Sequence, residues 1–325
     1  MMSSLTEVAA GDFSRTAQHF SAAGYSVSEA ASGILQIVRD PSCLSLLLSI
    51  GVHGNETAPI ELVTNVLTTL AMQSAQLAVN LLIVIGNPAA IAQARRFVEV
   101  DLNRLFKQEQ DDMATTLEAA RARVIMQATH TFFAMAQGPR WHLDLHTAIR
   151  PSCYPTFALL PDAVALPQKH AMVQLLGHAG IGAVVINRSA AGTFSAFTAE
   201  HLQATSATLE LGQISALGSN DMTQFADTSA TLARLLRTAA VAGTPRDAPV
   251  IFELAHEIIN TSESFCLHID PSTPNFSAIA PGSIIVTDGA LVYRVGLREE
   301  RIVFPNPTVR IGQRAGLMVV QGALR

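Results

Sequence analysis

The sequence predicts an α/β fold: a mixed, mostly parallel sheet flanked by helices, followed by a small C-terminal β domain. Apolar runs of strand length alternate with longer stretches of helical period over the first three-quarters of the chain. That alternation ends at Gly243-Thr-Pro-Arg-Asp-Ala-Pro249, a linker by composition. Beyond it only short β-like segments remain, punctuated by Pro271, Pro274, Pro281, Pro305 and Pro307. The expected division is residues 1–245 for an α/β domain and 246–325 for the β domain.

Each element has a local reason. Residues 45–51 read as a buried strand, and 57–73 as a helix with Pro59 in its first turn, where a missing N–H matters least. Residues 77–85 are the next strand, ended by Gly86-Asn87-Pro88. An Ala-rich helix is expected over 111–135, turning Glu118, Arg121 and Arg123 to solvent. Strands follow at 142–146, 156–160, 182–186 and 207–211, with helices at 163–179 and 221–240. In the last part, β segments are expected at 250–257, 283–287, 291–294, 301–304 and 316–320.

Composition narrows the function. Of 325 residues, 49% are hydrophobic and 14% charged, enough apolar material for a sizeable core and too little charge for a disordered chain. A net charge of -5 with no basic block argues against nucleic acid, whose phosphates demand a dense Lys/Arg footprint. Mean hydropathy is +0.31. The most apolar runs, 44–52 and 77–85, are nonetheless about half the ~20 residues a spanning helix needs, so no membrane partner is expected. Residues 1–13 lack a basic stretch followed by an apolar one, so no secretory signal is read there. Cys43, Cys153 and Cys266 form no CxxC pair and read as three small buried thiols in a reducing compartment. The expected location is the cytoplasm.

Four segments carry chemistry. His53-Gly54-Asn55-Glu56 lies between a strand and a helix, at the edge where open α/β sheets bind ligands. Imidazole and carboxylate are both good zinc ligands, and Gly54 permits a tight turn, although such a spacing also arises by chance. In Trp141-His-Leu-Asp-Leu-His-Thr147, alternation puts His142, Asp144 and His146 on one face and Leu143 and Leu145 in the core. His146, at the carboxyl end, would complete a set of two His and one Glu with an open fourth position. Asp144 would brace a ligand or an Arg, and His142 fits a hydrogen-bonded core histidine. Glu210, inside the apolar Thr208-Leu-Glu-Leu-Gly212, is either an Arg-paired structural group or a general base. Arg95 to Arg104, with Arg96, Asn103 and Arg104, is either a solvated turn or a grip for carboxylates.

Taken in order, Gly51-Val-His-Gly-Asn-Glu-Thr-Ala-Pro59, Asp101-Leu-Asn-Arg104, Asp144-Leu-His-Thr-Ala-Ile-Arg150 and Ala207-Thr-Leu-Glu-Leu-Gly212 resemble the succinylglutamate desuccinylase and aspartoacylase family. That family is a branch of the zinc-carboxypeptidase-like fold, and the match covers nearly the whole chain. The stretch from Ala191-Gly-Thr-Phe194 to Glu200-His201 also resembles the loop before the family's catalytic Glu. The resemblance implies one zinc per subunit on His53, Glu56 and His146, with Glu210 as general base and Arg96 stabilising the oxyanion. It implies that Asn103 and Arg104 hold a substrate carboxylate. The implied reaction is hydrolysis of N-succinyl-L-glutamate to succinate and L-glutamate, the last step of arginine catabolism through succinylated intermediates. An N-acyl-amino-acid deacylase of the aspartoacylase type is the nearest alternative.

Two further expectations are extensions. A substrate with three carboxylates needs more than Arg104, and Arg150 follows His146 closely enough to supply a second cation. Residues 189–196, rich in Ser, Ala and Gly, read either as a lid or as an ordinary connection. A small polycarboxylate is the expected partner, and the sequence also allows a homo-oligomer.

Overall fold

A computed structural model describes residues 2–324 apart from 73–75, 108–114, 189–191, 242, 246 and 271. Two short helices, α1 (Leu5–Ala9) and α2 (Ser14–Ala22), precede a hairpin of β1 (Ser26–Ala31) and β2 (Ile34–Val38). The next elements are β3 (Ser45–Ile50), α3 (Ala58–Met72), β4 (Asn80–Ile85), α4 (Pro88–Ala92) and α5 (Leu117–Ala134). They are followed by β5 (Arg140–Ala148), β6 (Thr156–Pro161), α6 (Leu166–His178), β7 (Ala183–Asn187), α7 (Phe194–Leu202), β8 (Thr205–Gln213) and α8 (Ala226–Thr238). The C-terminal part contains β9 (Val250–Ile259), β10 (Cys266–Leu267), β11 (Ser277–Ile279), β12 (Ile284–Asp288), β13 (Leu291–Arg294), β14 (Glu300–Val303) and β15 (Arg314–Gln321).

Twelve strands form one mixed sheet in the order β1-β2-β4-β3-β5-β8-β6-β7-β9-β15-β14-β11. Its middle, β4-β3-β5-β8, is parallel, and β6, β7 and β9 are parallel to one another. The reversal falls between β8 and β6, which pair antiparallel. Because β9 pairs with β7, the C-terminal strands extend the sheet edge to edge, while β10, β12 and β13 make a separate small sheet.

Both faces of the middle strands are covered, which explains their continuous apolar runs. Leu46, Leu48, Leu143, Leu145 and Leu209 pack with residues of α3, α6 and α8 in one core. Leu47, Leu82 and Val84 face the opposite side with Ile125, Phe132 and Phe133 of α5 and Phe194 and Phe197 of α7. Among the described residues, no helix is long and apolar enough to cross a membrane.

Two expectations need correction. The Ala-rich helix begins at Leu117, capped by Thr116, and part of its expected first stretch, 111–114, lies outside the described residues. Of its three charges only Arg123 is exposed. Glu118 is buried because its carboxylate accepts the N–H groups of Val98, Glu99 and Val100 and the amide of Asn87. Arg121 is likewise turned inward, donating to the carbonyls of Gly86, Ser32 and Ile85 at the end of the β2–β4 pair. A charged group in helical register can thus face inward where loop amides or strand carbonyls offer it partners. The thiols are also not buried: Cys43 is half-buried, and Cys153 and Cys266 are exposed, all three free. Cys153 lies between β5 and β6, and Cys266 sits on an edge strand of the small sheet.

Candidate metal centre and its surroundings

Three adjacent parallel strands, β3, β5 and β8, end on the same edge, and their carboxyl ends build the site. After β3, Gly51 takes a left-handed backbone (φ +60) that turns the chain toward α3. Gly54 packs against α4 so closely that a Cβ there would lie 2.2 Å from the carbonyl carbon of Ala90. This short connection carries His53 and Glu56. On the next strand His146 is a register partner of Glu210 across the β5–β8 pair, so both side chains emerge from the same level of the sheet.

The four groups are almost sealed from solvent: His53 3%, Glu56 2%, His146 2% and Glu210 8% exposed. His53 Nδ1 lies 2.8 Å from Glu56 Oε1, and His146 Nδ1 lies 2.8 Å from Glu56 Oε2. The two Nδ1 atoms are 3.2 Å apart. Each ring is fixed from behind by a carboxylate. Asp101 Oδ1 is 2.9 Å from His53 Nε2, and Asp144 Oδ2 is 3.1 Å from His146 Nε2. With the outer nitrogens facing carboxylates, the inner Nδ1 atoms converge with Glu56 on one point.

The charges reinforce one another. Burial disfavours the charged form of Glu56, but His53 and His146 outweigh it and hold the carboxyl well below its ordinary range. Burial likewise opposes charge on His146, yet Asp144 and Glu56 hold the imidazole well above its usual value. Glu210 behaves in the opposite sense. Burial, followed by repulsion from Glu56, pushes its carboxyl up to about 7, and its Oε2 has no hydrogen-bond partner among the described residues. A buried carboxyl poised near neutrality beside a cluster of ligand atoms can exchange a proton there.

The Arg-rich segment wraps this cluster and is not a solvated turn. Its loop is anchored by Glu118 and by Gly54, whose N–H donates to the Arg96 carbonyl at 3.1 Å. Arg96 Nη1 reaches Glu56 Oε1 at 2.9 Å, and its Nη2 lies 3.5 Å from Asp101 Oδ2. Asn103 is buried and accepts the Phe194 N–H through Oδ1 at 2.9 Å, while its Nδ2 lies 3.5 Å from His146 Nε2. Arg104 is half-buried and donates to the Asn103 carbonyl at 2.7 Å. Arg150 follows β5 by two residues, half-buried, beside Pro151 and Cys153, which pair with Asn275 of the C-terminal part.

The segment expected to be a loop before Glu210 is largely the helix α7. Its first turn is capped by Thr193, and Phe106 donates its N–H to the Gly192 carbonyl. Residues 189–191 of the expected lid lie outside the described residues. From Gly192 onward the chain is tied down, because Asn103 and Phe106 fasten it to the Arg-bearing segment.

Sequence reasoning missed three contributors. Asp101 opens the Asp-Leu-Asn-Arg motif, and its proximity to Asn103 was the available signal. Arg314 on β15 has no local signal at all. It is 13% exposed in its side chain, 3.8 Å from Glu257, and its Nη1 lacks a hydrogen-bond partner among the described residues. Burial, then the neighbouring positive charge of Arg104, pull its pKa down to about 10. The C-terminal part therefore adds a cation near the Arg104–Asp101 segment. The third contributor is a row of buried hydroxyls behind Asp144, which includes Ser49 and Thr198.

His53, Glu56 and His146 form a group that could hold a metal ion, with donor atoms all within 4.8 Å of one another. The donor set fits: two imidazole nitrogens and one carboxylate, each imidazole oriented by an Asp, leave room for a further ligand.

Comparison with known proteins agrees with this architecture. The family model described as succinylglutamate desuccinylase/aspartoacylase catalytic domain matches residues 42–236, and the AstE/AspA barrel-sandwich hybrid domain matches residues 247–322. The chain is 42% identical over 286 residues to succinylglutamate desuccinylase of Burkholderia thailandensis, covering 86% of this chain and 80% of that one. The crystal structure of succinylglutamate desuccinylase from Chromobacterium violaceum superposes with a TM-score of 0.81 at 34% identity, covering 94% of this chain and 97% of that one. The corresponding structure from Vibrio parahaemolyticus gives a TM-score of 0.83 at 29% identity, covering 92% and 88%. Together with the ordered His53, Glu56, Arg104, His146 and Glu210 segments, these matches place the chain in the succinylglutamate desuccinylase/aspartoacylase family.

Proposed function

We propose that the protein is a zinc-dependent amidohydrolase that cleaves N-succinyl-L-glutamate to succinate and L-glutamate. The observation that carries this reading is the convergence of His53, Glu56 and His146 with the proton-poised Glu210 directly across the β5–β8 pair. Relatives bearing the name succinylglutamate desuccinylase, matched over most of the chain, support the acyl group. We also propose the division into residues 1–245 and 246–325, supported by the two family models.

In this reading His53, Glu56 and His146 hold one zinc ion per subunit. Bound there, zinc would supply a Lewis acid and a water of lowered pKa. The residues do the rest. Glu210, uncharged or charged near neutral pH, takes the proton of the attacking water and returns it to the departing nitrogen. Its burial favours that return, because a charged carboxylate held away from solvent readily regains a proton. Arg96, held by Glu56 and Asp101, presents a fixed guanidinium where the carbonyl oxygen gathers negative charge. The Nδ2 of Asn103 and the guanidinium of Arg104 receive a substrate carboxylate. Arg150 and Arg314 are the candidates for the remaining anions, and the half-buried, incompletely paired Arg314 extends the site to the C-terminal part. The cytoplasm remains the proposed location.

The decisive experiment measures primary amine released from N-succinylglutamate and from N-acetylaspartate, before and after chelation and after return of Zn2+. We expect turnover of the succinyl substrate, its loss on chelation and its recovery with zinc. Full activity in a metal-free preparation would overturn the mechanism, and preferred cleavage of N-acetylaspartate would reassign the acyl group.

A further inference from the structure

Behind the metal-facing side chains lies a second line of polar groups that the proposed reaction does not use. His142, Ser49, Asp144, Thr198 and Ser206 are all 0% exposed, so within this row no bulk water can satisfy their polar atoms. They are contributed by four elements: β3, β5, α7 and β8. Ser49 Oγ is hydrogen-bonded to Asp144 Oδ1 and lies 2.7 Å from His142 Nε2. His142 Nδ1 is 2.7 Å from Thr198 Oγ1, which is 2.8 Å from Ser206 Oγ.

The direction of every bond in this row follows from the chemistry of its end. An ionised Asp144 can only accept, so the single hydroxyl proton of Ser49 must be donated to it. Ser49 Oγ is then an acceptor toward His142, whose Nε2 must carry a hydrogen. Burial pulls the His142 pKa down to about 4, so the ring is neutral and its Nδ1 offers a lone pair. Thr198 donates to that lone pair and accepts from Ser206. Other acceptors for Thr198, the carbonyls of Phe194 at 3.3 Å and Ser195 at 3.1 Å, are farther than His142 Nδ1. The Phe194 ring packs edgewise against the imidazole, with centroids 4.5 Å apart, and fixes its plane.

At the other end Asp144 Oδ2 faces His146 Nε2 at 3.1 Å. We propose that Thr198, His142 and Ser49 act as positioning residues that fix Asp144, and through it the Nε2–H tautomer and ring angle of the metal ligand His146. With Oδ1 tied to Ser49, the carboxylate can present only Oδ2 to His146, and the His146 Nδ1 atom is left facing Glu56 and His53, where a bound metal would take its lone pair. The row thus extends the support of a metal ligand across the sheet to α7, the helix whose first turn Asn103 also holds.

This inference rests on the zinc site proposed above, and the test separates the two. Zn2+ affinity is measured by competition with a chromophoric chelator in the parent protein and in Ser49→Ala, Thr198→Val and Thr198→Ser. In parallel, imidazole nitrogen NMR of the metal-free protein reads the tautomer of the neutral His142 ring. Groups that directly support metal ligands typically change affinity about 10–100-fold, so a residue one bond farther out is expected near the lower end. Ser49→Ala should weaken zinc binding about 10-fold, the low end of that range, and Thr198→Val, farther along the row, about 3-fold, below it. Thr198→Ser, which keeps the hydroxyl, should bind like the parent, and the parent His142 should carry its hydrogen on Nε2. Parental zinc affinity in both Ser49→Ala and Thr198→Val, or an Nδ1–H tautomer of His142 in the parent, would overturn the positioning role alone. A parent that binds no zinc would overturn the metal site as well. Should Ser49→Ala fail to fold, the Val/Ser pair at Thr198 decides, because a role in packing alone would leave zinc affinity equal in the two.

Discussion

The two faces of β5 make opposite demands on the same nine residues. On one face Leu143 and Leu145 join an apolar core with α6 and α8, where shape and volume decide everything. On the other, His142, Asp144 and His146 form a polar stripe as deeply buried as the leucines opposite. The apolar face gains stability from removal from water and needs no particular partner. The polar face would be strongly unfavourable unless each atom met a specific group, and its partners come from β3, α7 and the segments around Glu56 and Asp101. The lesson is that the strand is held by one face and made specific by the other. Substitutions on the two should therefore fail in different ways.

The largest expected effect tests the polar side. Glu210→Gln should lower kcat on N-succinylglutamate by about 10²–10⁴ while leaving metal content at one per subunit, because only the proton carrier is lost. Unchanged turnover would remove Glu210 from the mechanism. Next, Leu145→Ala should lower folding stability by about 2–5 kcal/mol in denaturant titration, with zinc affinity of the folded fraction unaltered. A matching loss of zinc affinity would mean that the two faces are not separable. Smaller again, Asp101→Asn should weaken zinc binding about 10–100-fold with a parental melting profile of the metal-free protein, since the outer nitrogen of His53 loses its anionic acceptor.

The smallest effect is a pH dependence. In the metal-free protein the fold keeps a proton on Glu210 up to about 7, whereas the unfolded chain releases it near the ordinary 4.5. The unfolded state therefore binds fewer protons in this window, and stability falls as pH rises through it. Between pH 5 and pH 6 this contribution should amount to about 1 kcal/mol, read as the difference in unfolding free energy between the parent and Glu210→Gln. An equal slope in both proteins would mean that Glu210 ionises normally in its buried place.

Much of this molecule was legible in the order of its residues. The apolar runs around Leu46, Leu81 and Val184 lie in buried strands, and the motif glycines mark real turns, because these are local consequences of side-chain period and backbone freedom. His53, Glu56 and His146, which the structure brings together as a group that could hold a metal, are legible as candidates because strand ends, turn residues and donor chemistry coincide within a few positions. Legibility failed where a charge found its partner far along the chain. Helical period turns Glu118 to solvent, yet it is buried under the amides of Val98 to Val100. The hairpin of β1 and β2 carries a weak, half-exposed pattern on its first strand, so its pairing was not visible.

By itself, then, the sequence determined the strand and helix alphabet, the residue types able to bind a metal and the family to which they belong. Only the tertiary structure decided that β8 lies beside β5 so that Glu210 meets His146, and that Asp101 faces His53. It also decided that Arg314 is carried back near Arg104 from β15, and that a core histidine stands in a directed row of hydrogen bonds. The physical reason is the same in each case. Periodicity and turn chemistry act over a few residues, whereas the partner of a buried polar group is chosen by strand order and sheet register, which bring together atoms separated by dozens of positions.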